Sequence, residues 1–290
     1  MNKARLRQSL FAVLAFFLSS LALSAQLISL PGLAEPEFPP GIAAGIESVR
    51  EEGWDPRGLQ YIRVVRFTLR GEPESETFFN PDGSPGSRVL YQYDAQGRLA
   101  RKEFHHPDAR VPDTETYLWD SLGRLQSVAR AYTTGMYGWR FEYTYDEQGR
   151  IILATKIDRY WKDVVVWRKT FTYNGEGLLV STSGGGLDEN IRWRDDYRYD
   201  AQGRLSEQLK YDVSGTLISH TFFGRDHRGR INREWQETPG GEKQDELHYY
   251  YRDDPAGIWR EKHLGRSSVT DGSRYFLPAS WYLRSYTYRS

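Results

Sequence analysis

The sequence predicts an all-β fold, a repeat-built antiparallel meander of about 16 strands that forms one long curled sheet. A four-residue turn with Asp or Asn first and Gly fourth recurs seven times, at intervals of 26, 26, 28, 26, 26 and 28 residues. Between the turns, aromatic residues alternate with polar ones, as in a strand with one buried face. The sequence leaves undecided whether the sheet is open or closed.

The seven turns share one chemistry. The first residue accepts hydrogen bonds from the backbone two residues on, and Gly supplies the left-handed conformation that closes a bulged hairpin. We do not expect metal binding, because each loop offers too few carboxylates for a calcium site. The first and fourth residues are Asp94 and Gly97, Asp120 and Gly123, Asp146 and Gly149, Asn174 and Gly177, Asp200 and Gly203, Asp226 and Gly229, and Asp254 and Gly257.

All six intervals between the turns are even numbers. A strand points successive side chains to opposite faces, so even intervals keep equivalent residues on one face. We therefore expect Tyr93, Tyr145 and Tyr199, which each precede a turn, to point to the same surface. The bulged register places Tyr93 opposite Leu99 and Tyr145 opposite Ile151, as aromatic–aliphatic cross-strand pairs.

Three turns extend to Tyr-Asp-x-x-Gly-Arg followed by Leu or Ile, at residues 93–99, 145–151 and 199–205. Repeated in phase over about residues 80–264, this motif resembles the YD repeat of RHS-type proteins. The resemblance implies a long coiling sheet on a secreted or cell-surface protein, with sugar binding proposed for some members. Large toxins of that family enclose a cargo domain; with few repeats and 26 residues after Leu264, this chain is expected to be a short stand-alone member.

We predict three segments. In residues 1–25, a basic start and an apolar stretch precede Ser24 and Ala25, as in a secretory signal. We expect this signal helix to be cleaved, with an uncleaved membrane anchor as the alternative. Residues 26–58 are expected to be a linker or lead-in, and residues 59–290 to form the repeat domain.

The composition excludes some partners. Lys plus Arg equals Asp plus Glu at 39 each, which argues against a nucleic-acid partner. The chain has no cysteine, so packing and hydrogen bonds alone must hold an exported domain together. We expect a periplasmic or extracellular location, with membrane contact only through the N-terminal segment if it stays uncleaved.

No motif for catalysis or for binding a cofactor or a metal is evident. The glycine run Gly184–Gly186 is interpreted as a long turn. Asp195 and Asp196 lie on opposite faces of one strand, and Asp195 interrupts an aromatic face as Lys169 does 26 residues earlier. Two strand spacings separate these charges, so direct pairing is not expected unless the sheet curves strongly. We predict no cofactor and no enzymatic activity, with a carbohydrate-active hydrolase as the less favoured alternative.

Flat aromatic side chains flanked by polar ones are the remaining candidates for a binding site, because they suit the apolar face and hydroxyl rim of a sugar. A sheet core explains the same rows and is the favoured interpretation. Arginines on the opposite face suit an acidic glycan. The candidate binding residues are Trp139, Trp161, Trp167, Trp193, Arg192 and Arg194.

The predicted function is that of an exported, non-enzymatic binding or scaffold module, with a glycan or another surface protein as its partner. The alternative is an outer-membrane β-barrel, with which the strand number and the abundant Tyr and Trp are compatible. Against the alternative, Lys169 and Asp195 interrupt the aromatic face, and the other face is rich in Arg and Glu.

Overall fold

The computed structural model describes residues 45–133, 138–158, 163–186, 192–255, 258–270 and 273–289. The expected signal at residues 1–25 lies outside this part of the chain. The described residues form 18 strands and no helix. The strands are β1 (Ile46–Asp55), β2 (Gly58–Phe67), β3 (Pro73–Phe79), β4 (Pro85–Tyr93), β5 (Leu99–His105), β6 (Asp113–Trp119), β7 (Leu125–Ala131), β8 (Trp139–Tyr145), β9 (Ile151–Asp158), β10 (Val164–Tyr173), β11 (Leu179–Gly186), β12 (Arg192–Tyr199), β13 (Leu205–Tyr211), β14 (Leu217–Arg225), β15 (Ile231–Glu237), β16 (Lys243–Asp253), β17 (Trp259–Thr270) and β18 (Ser273–Tyr288).

The strands form one antiparallel meander that closes into a barrel. Each strand pairs with the next along the chain, and β1 pairs with both β2 and β18. At the seam, Val49 lies opposite Tyr286 and Glu51 opposite Arg284. The predicted all-β antiparallel meander is confirmed, and closure leaves no unpaired sheet edge.

The barrel begins earlier in the chain than predicted. Strand β1 lies within residues 26–58, which we expected to be a linker or lead-in, and it raises the strand number above the predicted 16 or so. Its Glu51 points to the buried face. In the sequence alone, a charged residue at such a position argues against a strand. An arginine 233 residues away, Arg284, neutralises this carboxylate, so only the folded barrel makes β1 stable.

The main hydrophobic cluster lies on one face of the barrel wall. Tyr117, Tyr143, Phe171 and Tyr197 are 4%, 7%, 4% and 4% exposed and belong to one hydrophobic cluster. Because side chains crowd on the concave side of a closed sheet, this is the inner face, which lines the lumen. The opposite, outer face carries exposed residues such as Arg194.

The repeated turns lie at one rim of the barrel, each after an even-numbered strand. In the six whose Gly is described, the Gly N–H donates to the first residue's carbonyl at 2.9–3.0 Å, with Gly φ between 72° and 83°. Gly257 lies outside the described residues. In one copy, Asp146 Oδ1 accepts the backbone N–H groups of Gln148 and Arg150, and Oδ2 accepts Arg150 Nε at 2.7 Å.

Each turn is also fixed to the turn before it by a hydrogen bond that we call the turn latch. A side chain at the end of an even-numbered strand donates to the carbonyl oxygen of a residue just after the preceding turn. The Tyr93 hydroxyl donates in this way to Pro73, and the Arg225 guanidinium replaces the aromatic donor in its copy. The eight latches are Tyr93–Pro73, Trp119–Leu99, Tyr145–Leu125, Tyr173–Ile151, Tyr199–Leu179, Arg225–Leu205, Tyr251–Ile231 and Tyr286–Trp259.

Candidate functional site

The inner wall carries charged groups among its rings, and the most buried are Glu51 and Arg284 at the seam. Their side chains are 2% and 1% exposed, and Arg284 Nη2 lies 2.7 Å from Glu51 Oε2. The guanidinium stacks 3.7 Å from the centre of the Trp259 ring. The Tyr61 hydroxyl donates to the second carboxylate oxygen at 3.0 Å. This pair is therefore matched in both charge and hydrogen bonding.

Lys262 lies beside this ion pair on the inner face. Burial and, to a smaller extent, the positive Arg284 lower the pKa of its ammonium group to about 8, while Glu51 opposes the shift. Its nitrogen lies 5.2 Å from the Tyr249 ring centre and 5.8 Å from that of Tyr251, both cation–π distances. Aromatic faces thus supply part of the stabilisation that water would give to the ammonium group.

A second charged group lies further round the barrel at β5, β6 and β7. Glu115 accepts the Tyr117 hydroxyl at 2.7 Å and Arg130 Nη1 at 3.0 Å. The nitrogen of Lys102 lies 5.2 Å from the Tyr91 ring centre and 5.7 Å from that of Tyr117. Burial lowers the pKa of Lys102, while Glu115 and another inner-face glutamate oppose the shift.

Asp195 is the inner-face acid with the least complete set of partners. It is 9% exposed, and its Oδ1 has no hydrogen-bond partner among the described residues. Burial raises the pKa of this carboxyl group, whereas Lys210, Lys169 and a hydrogen bond from Gln208 oppose the rise. Lys210 lies directly opposite on β13 and is exposed, so solvent reaches this part of the inner wall.

Trp193 lies one inner-face position from Asp195, next to the glycine end of strand β11. Gly184 of β11 pairs with Trp193 on one side and with Lys169 on the other. A Cβ atom at Gly184 would lie 2.8 Å from Trp193 Cζ2, so the indole occupies the space that a side chain would fill. The Lys169 nitrogen is 5.1 Å from the ring centre. Indole, carboxylate and two ammonium groups therefore form one cluster, which we call the Asp195 cluster.

One sequence expectation is corrected here. Gly184–Gly186 form the end of strand β11 rather than a long turn, because the indole of Trp193 needs a wall without side chains. Lys169 acts on Asp195 across β11 through its charge, which lowers the pKa of that carboxyl group.

The tryptophans predicted as binding candidates point inward where they are described. Trp139 and Trp167 pack against the hydrophobic cluster, and each makes an edge-to-face contact with Phe141, with ring centres 5.2 and 6.0 Å apart. Trp193 is the one that meets charged groups. Trp161 lies outside the described residues.

The arginine candidates lie on β12. Arg194 points outward, is 51% exposed, lies 3.1 Å from Asp196 and stacks 4.3 Å from the Tyr211 ring centre. The side chain of Arg192 lies outside the described part of the structure. Asp196 points outward and accepts Ser181 Oγ at 2.9 Å, so Asp195 and Asp196 face opposite sides of the wall and cannot flank one substrate bond.

Sequence reasoning missed an aromatic cleft on the outer face. Four rings lie side by side across four neighbouring strands, each directly opposite the next. They are Tyr250 on β16, His263 on β17, Trp281 on β18 and Trp54 on β1. A register shift at Leu264 opens a cleft of about 240 Å³ between these strands. The lining residues are Tyr250, His263, Leu264, Gly265, Pro278, Ser280 and Trp281. The rings come from both ends of the chain, so no local motif reveals them.

Among the described residues, no group of three or more His, Cys, Asp or Glu side chains is placed to hold a metal ion. Five histidines instead each pair with a single acid, as His220 does with Glu207 at 2.9 Å. Over the same part of the chain, no helix is long and apolar enough to cross a membrane.

No family model matches the chain, and no curated protein matches it. A porin-like protein from Bacteroides uniformis has a similar solved structure, with 11% identity and a TM-score of 0.47 over 84% of this chain and 97% of that one. A porin-like protein from Bacteroides vulgatus gives 10% identity and a TM-score of 0.35, over 83% and 98%.

The Tc holotoxin pore of Photorhabdus luminescens is also similar, with 13% identity and a TM-score of 0.35 over 78% of this chain and 15% of that chain. At this low identity, the function has to be inferred from the geometry of the chain itself.

Proposed function

We propose that the chain is a short YD-repeat protein, exported and non-enzymatic, that binds carbohydrate in its lumen at the cell surface or in the periplasm. The observation that supports a luminal ligand is the buried Oδ1 of Asp195, which has no partner among the described residues. The large majority of buried side-chain polar atoms in native proteins have a hydrogen-bond partner. A ligand hydroxyl group would supply the missing donor.

The rest of the Asp195 cluster suits a sugar ring. Trp193 offers an aromatic surface for the apolar face of a pyranose. Lys169 and Lys210 offer ammonium donors to ring and hydroxyl oxygens, on either side of the carboxylate acceptor. A few polar groups converging beside an aromatic surface are typical of small-ligand sites.

Glycan-array binding followed by calorimetry tests this proposal on the purified full chain. We expect Trp193→Ala and Asp195→Asn each to weaken binding by at least about tenfold, or about 1.4 kcal/mol. Trp235→Ala is the matched control, because Trp235 lies opposite Phe222 on the outer face and stacks on it at 5.1 Å. Absence of glycan binding, or equal binding by all three variants, would reject the proposal.

A second candidate is an outer-membrane barrel, which closure of an even number of antiparallel strands favours. A membrane barrel needs an apolar outer band and strands of about 9–11 residues. Here β5, β6, β7 and β8 have 7 residues each. Arg194 and Arg198 on the outer face are 51% and 60% exposed. These features favour a barrel that is surrounded by water.

Cell fractionation separates the two candidates. Release of the protein by osmotic shock or by salt supports the water-exposed barrel. Retention in the membrane until detergent is added supports the outer-membrane barrel. It would reject the proposal that the outer face is in contact with water.

A further inference from the structure

The outer aromatic cleft offers an apolar surface bordered by exposed side chains. Tyr250 is 55% exposed and Leu277 is 56% exposed at its border. Trp281 stacks on Trp54, with ring centres 6.3 Å apart and planes within 9°. Pro278 and Gly265 face each other at the register shift. Parallel aromatic rings with a groove beside them are the surface that proline-rich segments recognise.

The chain itself contains such a segment. Residues 31–44 include Pro31, Pro36, Pro39 and Pro40, and they directly precede β1. Proline favours the extended polyproline II conformation, which has no internal hydrogen bonds and loses little entropy on binding.

The reach of this segment matches the position of the cleft. Nine residues of β1 separate Gly45 from Trp54, a distance of about 30 Å along the strand. The nine residues from Gly45 back to Pro36 span about 28 Å as polyproline II. Strand β18, which carries Trp281, lies next to β1. A segment that reverses direction before β1 therefore brings Pro36 level with Trp54 and Trp281.

We propose that residues 31–44 fold back along the outer face of β1 and reach the outer aromatic cleft, with the Pro36 ring against Trp281. The segment covers the rings of the outer aromatic cleft and holds the N-terminal part of the chain against the seam. This inference does not depend on luminal carbohydrate binding, because it concerns the opposite face of the wall.

Distance measurement between two spin labels tests the proposal on the full chain. The sequence has no cysteine, so Ala34→Cys with Ser285→Cys labels only the segment and an exposed position of β18. We expect one short, narrow distance. The matched control is the doubly labelled variant Ala34→Cys with Thr144→Cys. Thr144 is an exposed outer-face position on β8, across the barrel, so this pair should give a longer distance.

Two further variants make the result decisive. Trp281→Ala should broaden the short distance by emptying the cleft. Replacement of Pro36, Pro39 and Pro40 by Ser should do the same without altering any barrel residue. A broad distance in the parent chain, or a narrow one that survives both changes, would overturn the proposal. So would loss of the short distance on dilution with unlabelled chain, since the occupant would then be a second copy.

Discussion

The hydroxyl group of Tyr145 donates a hydrogen bond to the carbonyl oxygen of Leu125, 2.7 Å away. This turn latch joins the turn that begins at Asp146 to the one that begins at Asp120, 26 residues earlier. The guanidinium of Arg124 lies 4.8 Å from the centre of the same Tyr145 ring and also pairs with Asp120. One aromatic residue therefore links two repeats through both its hydroxyl group and its ring face.

Tyr145→Phe keeps the ring and removes the latch donor. We expect a loss of about 1 kcal/mol in the free energy of unfolding, because the Leu125 carbonyl loses its partner. Urea unfolding measures this loss, with the outward-facing Tyr211→Phe as the control. A change no larger than that of the control would mean that the latch contributes nothing to stability.

Gly149 has a φ of +78°, and no atom would lie within 4 Å of an added Cβ. Gly149→Ala should therefore destabilise the fold through backbone strain alone, by about 1–2 kcal/mol. Gly149→Asn should cost less, because Asn tolerates the left-handed region better than Ala. Thermal unfolding of the two variants checks this order, and the reverse order would contradict the turn conformation.

Glu51→Gln leaves the Arg284 guanidinium buried without its counter-charge. We expect a loss of about 3–5 kcal/mol, the usual effect of removing one partner from a buried pair. The control is Arg198→Gln, which breaks an outer pair whose arginine is 60% exposed, where about 0–1 kcal/mol is expected. Equal effects in the two variants would show that the seam pair is not shielded from water.

Lys262 makes stability depend on pH. Its folded-state pKa of about 8 lies below the ordinary value of 10.5, so above pH 8 the unfolded chain holds more protons than the folded one. Stability should therefore rise with pH in this range, by about 1.5 kcal/mol between pH 8 and 9.5 relative to Lys262→Met. Denaturant unfolding of both proteins across that range measures the difference, and parallel pH profiles would contradict it.

Several features of the fold were predictable because they rest on local chemistry. The turn geometry follows from Asp or Asn and Gly at fixed positions, and the predicted pairs Tyr93–Leu99 and Tyr145–Ile151 occur in the observed register. Strand β1 was not predictable in the same way. Its inward Glu51 is stable only beside Arg284, which the linear sequence places 233 residues away.

The candidate sites were also only partly predictable from the sequence. Asp195 was noticeable in the sequence because it interrupts an aromatic row, and Trp193 lies on the same face of the same strand. The missing partner of its Oδ1 became evident only when burial and neighbouring strands were known. The outer aromatic cleft gave no sequence signal, because its rings come from strands at opposite ends of the chain.

The amino-acid sequence by itself determined the repeating turns, the antiparallel meander and the single ring-bearing face, since short-range hydrogen bonds and a two-residue period specify them. Only the tertiary structure decided that the meander closes, that its aromatic face lines the lumen, and which charges meet there. Closure depends on the pairing of β1 with β18. That pairing is made by residues of the first and last strands rather than by the repeats between them.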